Sequence, residues 1–207
     1  MKDHDPWADY IRQTSTAAAD NEVMEFVRDG LTRASHPRAL DLGCGGGRHL
    51  AYLHGLGCRA VGIDRSPAAR AASLFPVLIQ DLCDPLPVRS GCIDLALLWG
   101  TLVHLPPAAQ RPVLEEIARV LVPGGRLLVD FLRPDDFRRA LGHPITENFR
   151  HSPWLAGVTD HFCRAAEVAA LCDSLLVVRE GDCSLITRDG QRVSQGYLWL
   201  QKSAPAP

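Results

Sequence analysis

Short apolar runs alternate with segments of helical periodicity through the first two thirds of the chain. Strands are predicted at Arg38–Leu42, Cys58–Ile63, Val77–Ile79, Ile93–Trp99 and Arg126–Leu132. Helices are predicted between them at Gly47–Leu56, from Ser66-Pro67 onward, and at Pro107–Val122, where Pro123-Gly124-Gly125 marks a tight turn. This alternation predicts a parallel sheet with right-handed crossovers.

The two ends of the chain depart from this alternation. A helix is predicted at Asp20–Arg33, and after Leu132 a segment rich in Pro, Gly, His and Arg predicts a lid with a short helix near Asp135–Leu141. The remainder predicts a helix at Ala165–Cys172, a strand at Leu175–Arg179 and a last, antiparallel strand at Tyr197–Leu200. We therefore expect an α/β fold with a doubly wound, mostly parallel sheet and helices on both faces.

The length of 207 residues suits one domain. We predict that residues 1–207 form a single domain with four parts, which are an N-terminal helical cap at 1–34, a core at 38–132, a lid or substrate insertion at 134–162, and a C-terminal helix with strands at 163–202.

Composition and charge disfavour several kinds of binding partner and cellular compartment. The formal net charge of −2 gives no basic surplus for nucleic acid, and no apolar run reaches the roughly 20 residues of a membrane span. The seven cysteines are odd in number and lack Cys-x-x-Cys spacing, which disfavours a disulfide framework and a thiolate metal site. The N-terminus also lacks the pattern of a signal peptide. We expect a cytoplasmic protein, monomeric or homodimeric, with no metal, nucleic acid or membrane partner.

The first strand runs into the loop Asp41-Leu42-Gly43-Cys44-Gly45-Gly46-Gly47. A strand, a glycine loop and a helix together indicate a nucleotide-like ligand. NAD binding requires a small third residue in Gly-x-Gly-x-x-Gly/Ala, but Arg48 occupies that position. Asp41 would also face a pyrophosphate at an electrostatic cost and instead suits an ammonium group. An NAD-dependent oxidoreductase stays the less favoured alternative.

Two further acids follow the next two strands. Asp64 lies about 20 positions after Gly43, the usual offset of a carboxylate that binds ribose hydroxyls. Asp81 follows the third strand, where its carboxylate can accept a hydrogen bond from an exocyclic amine. Three acids at successive strand ends match an amine, a ribose and an adenine.

With these motifs the chain resembles the class I S-adenosylmethionine (SAM)-dependent methyltransferases, whose Rossmann-like sheet has seven strands. The motifs are Ala39-Leu40-Asp41-Leu42-Gly43-Cys44-Gly45-Gly46-Gly47-Arg48, Val61-Gly62-Ile63-Asp64, Gln80-Asp81-Leu82, the block from Ile93 to Leu105, and Leu121-Val122-Pro123-Gly124-Gly125-Arg126-Leu127. All five blocks occur in the family's order and spacing.

The resemblance implies roles by position. The cofactor would be SAM, with S-adenosylhomocysteine (SAH) as its product. Gly43, Cys44, Gly45 and Gly47 would approach its methionine part, and Asp41 would hold the ammonium group directly or through water. Asp64 would bind the ribose, with Arg65 beside it. Asp81 and Leu82 would bind the adenine. Trp99 would lie beside the methyl donor, and the N-terminal helix, through Trp7 and Tyr10, would close the site.

The acceptor is less constrained by the sequence. His104, His151 and His161 are candidate general bases, needed only if the nucleophile must lose a proton. The fourth strand ends in Leu-Leu-Trp-Gly and lacks the Asn/Asp-Pro-Pro-Tyr tetrad that holds planar amino groups. We therefore expect a small-molecule acceptor. The alternatives are a non-catalytic SAM-binding protein and a methyltransferase that reaches a macromolecule through a partner subunit.

Overall fold

The computed structural model describes residues 5–31, 35–186 and 190–203. Its strands are, in chain order, β1 (Arg38–Leu42), β2 (Arg59–Asp64), β3 (Val77–Ile79), β4 (Ile93–Leu98), β5 (Leu121–Leu132), β6 (Phe149–His151), β7 (Thr159–His161), β8 (Leu175–Asp182), β9 (Leu185–Ile186), β10 (Arg192–Val193) and β11 (Gln195–Lys202). Its helices are α1 (Ala8–Thr14), α2 (Asn21–Leu31), α3 (Arg48–Gly55), α4 (Pro67–Ala72), α5 (Pro107–Val120), α6 (Arg138–Leu141) and α7 (Ala165–Ala169), with a 3-10 turn at Leu102–His104.

Within the described residues a seven-stranded sheet has the order β3-β2-β1-β4-β5-β11-β8. Strands β1 to β5 pair in parallel, and β11 pairs antiparallel with both β5 and β8. The predicted doubly wound, mostly parallel sheet with an antiparallel last strand is confirmed.

The helices cover both faces of the sheet because successive side chains of a strand point to opposite faces. In β4, Leu95 and Leu97 join one apolar cluster with residues of α2 and α3, whereas Ala96 and Leu98 join a second cluster with residues of α5. The buried side chains of α5 that make this contact are Val113, Leu114 and Ile117. Each contributes about 1.5–3 kcal/mol through burial.

Several predicted boundaries were wrong, and β5 shows why. It begins at Leu121, not at Arg126, because Leu121 already pairs with Ile93 before the register shifts. Gly124, with φ of 78°, allows the turn predicted there to become an irregularity inside a longer strand.

Other boundaries differ by a few residues. Strand β2 starts after Cys58, and β8 continues past Arg179 to Asp182, since β11 pairs with it that far. Helix α7 ends at Ala169 and not at Cys172. The C-terminal end predicted for α2, at 32–33, lies outside the described residues.

The segment 134–162 contains the predicted short helix, α6, and a hairpin of β6 and β7 that the sequence did not predict. The hairpin is fixed to the sheet because the Cys163 amide donates to the Leu132 carbonyl at 2.8 Å, and fully buried Phe162 packs with Val103 and Leu132. No helix in the described part of the chain is long and apolar enough to cross a bilayer.

Candidate active site

A cavity of about 390 Å³ lies where β1, β2, β3 and β4 end. Such a volume is at the lower end of the range for ligand pockets, roughly 300–1,000 Å³. Nine of the residues predicted to bind a cofactor line it, namely Tyr10, Gly43, Cys44, Gly45, Asp64, Arg65, Asp81, Leu82 and Trp99. The topology therefore brings the ends of four strands and the N-terminal helix to one place.

The glycine loop approaches its neighbours too closely for side chains. Gly43 has φ of 76°, and a Cβ there would lie 2.0 Å from Thr101 Oγ1 in the loop after β4. A Cβ on Gly46 would lie 2.4 Å from the Cβ of Ser15, the residue that follows α1. Glycine at these positions lets the loop pack against both the β4 loop and the N-terminal cap.

Asp64 is held by backbone amides at the end of β2. Its Oδ2 accepts from the Gly45 amide at 2.9 Å, and its Oδ1 accepts from the Ser66 amide at 2.8 Å. Burial raises the pKa of the Asp64 carboxyl, although these two amides oppose the rise. The carboxylate is thus fixed at the cavity wall with lone pairs left for hydroxyl donors.

Asp81 is fixed by the same kind of local contact. Its Oδ1 accepts from the Cys83 amide at 2.9 Å. Leu82, beside it, is buried and gives the cavity an apolar surface. Cys44 is also buried, and burial raises the pKa of its thiol, so this cysteine stays protonated.

Two residues predicted to bind the cofactor do not line the cavity. Asp41 is buried behind the loop, and its Oδ2 has no hydrogen-bond partner among the described residues. Gly47 occupies the left-handed N-cap position of α3 with φ of 85°. Their direct contact with a ligand stays a prediction.

Behind the loop, the structure shows a charged cluster that sequence reasoning missed. His49 Nε2 lies 3.0 Å from Asp20 Oδ2, and its Nδ1 lies 3.9 Å from Asp41 Oδ1. Arg48 Nη2 also contacts Asp20 Oδ2, at 2.7 Å. Both His49 and Arg48 line the cavity. The cluster joins the start of α2 to the start of α3.

The carboxylates in this cluster favour the charged imidazole. Burial alone lowers the pKa of His49, but its contacts with Asp20 and Asp41 outweigh burial and raise it. Burial likewise raises the pKa of Asp20, but the His49 contact and the Arg48 charge lower it overall. Arg48 and His49 therefore line the cavity beside the glycine loop with Asp20 as their shared partner.

Helix α1 and the β6–β7 hairpin both line the cavity. Trp7, Tyr10 and Ile11 line it from the N-terminal side, and 157–159 line it from the hairpin. The Trp7 ring meets the His104 ring edge to face, with 4.8 Å between their centroids. Trp7 and Tyr10 thus both line the cavity, and their closure over a bound cofactor stays a prediction.

Of the three candidate bases, His104 alone lines this cavity. Its Nδ1 lies 3.1 Å from the Thr159 carbonyl oxygen and 3.2 Å from Asp160 Oδ1. His161 Nδ1 accepts from Gln110 Nε2 at 2.9 Å, and burial lowers its pKa. His151 is exposed on β6. Catalytic roles for His151 and His161 stay predictions.

Asp130 is a buried acid within the apolar run of β5. The sequence analysis did not assign it a role. Its Oδ1 accepts from the Gly100 amide at 2.6 Å, and its Oδ2 accepts from Gln195 Nε2. Complete burial raises the pKa of Asp130 to about 6, although both hydrogen bonds oppose the rise. Because Gly100 lines the cavity, Asp130 holds one of its walls in place.

The chain is similar in sequence and fold to known proteins. Residues 40–129 match the family model of the methyltransferase domain. The chain is 36% identical over 129 residues to an uncharacterized methyltransferase of Synechocystis, an alignment that covers 60% of this chain and 61% of that relative. The chain therefore spans about three fifths of that relative's length.

Solved structures share the fold at low identity. A SAM-dependent methyltransferase from Methanosarcina mazei superposes with a TM-score of 0.73 at 19% identity, covering 86% of this chain and 97% of the other. The N-methyltransferase NodS of Bradyrhizobium japonicum, solved with SAH, gives 0.67 at 17% identity and covers 98% and 100%. These likenesses establish the fold.

Proposed function

Because the chain belongs to the class I, Rossmann-like methyltransferases, with the methyltransferase domain at 40–129, we propose that it transfers the methyl group of SAM to a small-molecule acceptor. The observation that supports this proposal is one cavity that joins the glycine loop and the two acids, Asp64 and Asp81, to the imidazole of His104.

The residues of the cavity fit the three parts of SAM. Asp64 offers lone pairs to ribose hydroxyls, and Asp81 offers them to an amine. The Arg48 guanidinium lines the cavity beside the glycine loop, where it can donate to a carboxylate. SAM supplies an activated methyl group on a sulfonium, whose leaving group is neutral.

The protein's own contribution is to position the acceptor and exclude water. Reactants held about 3–3.5 Å apart and in line gain most of the rate that such a displacement requires. Trp7 and 157–159 line this space, whose volume is about 390 Å³. A small acceptor fits this space better than a polymer.

We keep a cytoplasmic location as a prediction. All seven cysteines are free thiols, which is consistent with a reducing compartment.

Calorimetry with SAH, followed by mass spectrometry of acceptor mixtures incubated with methyl-deuterated SAM, tests the proposal. We expect SAH to bind and label to appear in a small molecule. Binding of NAD without binding of SAH would contradict it. Binding of SAH with no transfer to any small molecule would favour a non-catalytic protein, or transfer to a macromolecule if label appeared in protein or RNA.

A further inference from the structure

The structure pairs His104 with a buried carboxylate from the hairpin. Asp160 lies on β7, and its side chain is 4% exposed, whereas that of His104 is 25% exposed. Both groups at His104 Nδ1, the Asp160 carboxylate and the Thr159 carbonyl, are hydrogen-bond acceptors. Nδ1 must therefore carry the proton.

This arrangement determines the state of the other ring nitrogen. With the proton on Nδ1, the Nε2 of a neutral His104 has a free lone pair, and no contact within the described residues occupies it. The ring itself lines the cavity and stacks edge to face on Trp7. A fixed tautomer with an open basic nitrogen, oriented by a carboxylate, is the arrangement of a general base.

We propose that His104 is the general base, that Asp160 is its positioning residue, and that the acceptor is a hydroxyl of phenol or enol type. This inference rests on the proposed methyl transfer. As the oxygen attacks the methyl carbon, the O–H proton passes to Nε2, the new O–C bond forms, and the S–C bond breaks with its electron pair on sulfur. The products are a methyl ether, SAH and an imidazolium paired with Asp160.

A hydroxyl is the acceptor for which such a base matters most. Thiols have an ordinary pKa of about 8.5 and ionise appreciably near neutral pH, and an amine attacks through a lone pair that it already has once unprotonated. A phenol has an ordinary pKa of about 10 and is a poor nucleophile until its proton is removed. The buried Asp160 offsets the charge that His104 gains.

The protein alone tests the tautomer. In protein with isotope-labelled histidine and bound SAH, nitrogen–proton correlation spectra identify which ring nitrogen is protonated, and the His104 signal is assigned by its loss in His104→Asn. We expect Nδ1–H and a bare Nε2. A proton on Nε2 of the neutral ring would overturn the proposal, because the open nitrogen would then be a donor.

The variant His104→Asn distinguishes a general base from a residue that only holds the hairpin in place. The asparagine amide can replace Nδ1–H as donor to Thr159 and Asp160, but it offers no basic nitrogen. With phenol as acceptor we expect kcat to fall about 100-fold or more. With 4-nitrophenol, which ionises near neutral pH, we expect a change within about threefold. Equal losses with both phenols would overturn the role of base.

Asp160→Asn should lower kcat with phenol about tenfold or more, while KM and SAH affinity stay within about twofold. The matched control is His36→Asn, since His36 Nδ1 also contacts a carbonyl, that of Gly57, outside the cavity. We expect this variant to keep wild-type kcat.

The two proposals fail differently. A wild-type protein that binds SAH and methylates other acceptors but no phenol in a graded series overturns the hydroxyl assignment alone. A protein that does not bind SAH overturns the proposed function itself.

Discussion

His49 and Asp20 form an ion pair that joins the glycine-loop helix to the N-terminal cap, with 3.0 Å between Nε2 and Oδ2. Asp20 directly precedes α2, and His49 is the second residue of α3. The pair therefore fixes the cap to the loop whose backbone lines the cavity.

Replacing His49 by glutamine should destabilise the protein in a pH-dependent way. Because the carboxylates raise the pKa of His49 in the folded state, the stabilisation is fully present below about 6.5 and is lost as pH rises through the raised pKa. We expect a loss of about 1 kcal/mol in unfolding free energy near pH 6 that shrinks as pH rises above the raised pKa of His49.

Urea unfolding of wild type and His49→Gln at several pH values measures this difference. His54→Gln is the matched control, because His54 Nε2 contacts the Ala60 carbonyl and, among the residues that the structure describes, no carboxylate. An equal pH dependence in both variants would contradict the role assigned to the ion pair.

Gly46→Ala should weaken SAH binding by displacing the cap. The new Cβ would lie 2.4 Å from the Cβ of Ser15 and 2.6 Å from its Cα, so that backbone must move. Overpacking of this kind costs about 1–3 kcal/mol, and we expect a loss of affinity of about 5- to 150-fold by calorimetry. Gly55→Ala is the control, since a Cβ there meets nothing within 4 Å. Unchanged affinity in Gly46→Ala would remove the cap from the binding site.

Asp64→Ala should weaken SAH binding by about 1–3 kcal/mol, the usual cost of losing a charged hydrogen bond. Asp94→Ala is the control, because Asp94 also accepts a backbone amide, that of Arg38, but lies outside the cavity. We expect calorimetry to show wild-type affinity for Asp94→Ala. The same affinity in both variants would exclude Asp64 from the site.

Asp130→Asn should stabilise the protein at neutral pH. Because the folded-state pKa of about 6 lies above the ordinary 3.8, ionised Asp130 destabilises the fold, and this cost develops as pH rises from about 4 to about 6. The difference between these two pKa values limits the gain in unfolding free energy from Asp130→Asn to about 3 kcal/mol.

The amide can still accept from Gly100, and Gln195 can reverse its own amide to match. We expect thermal unfolding to show a higher Tm for Asp130→Asn at pH 8 and a gap that closes near pH 4. A lower Tm at pH 8 would mean that the ionised carboxylate strengthens its two hydrogen bonds by more than its burial costs.

The sheet was predictable because its strands are short apolar runs with glycine or proline after them. Ile93–Leu98 is buried on both faces and contains one charged residue, Asp94, so its pattern has one interpretation. The β6–β7 hairpin was not predictable, since Phe149–His151 and Thr159–His161 lack alternation and are fixed by the burial of Phe162 against Val103 and Leu132.

The place of the cavity was predictable for a similar reason. Asp64 is the last residue of β2 and Asp81 lies two residues after β3, and parallel strands bring their carboxyl ends to one edge. The contacts of His49 with Asp20 and of His104 with Asp160 were not predictable. In each case the carboxylate is distant in sequence and reaches the histidine only after the cap or the hairpin has folded over the sheet.

The place of β11 between β5 and β8 determines when the sheet can be completed during synthesis. Until Gln195–Lys202 leaves the ribosome, β5 has an unpaired edge, and β8 has no neighbour in the sheet within the described residues. Unpaired strand edges are templates for association with other chains. A chain cleaved or stalled before residue 195 would thus be prone to aggregate, because β11 would not be there to cover β5 and join β8 to the sheet.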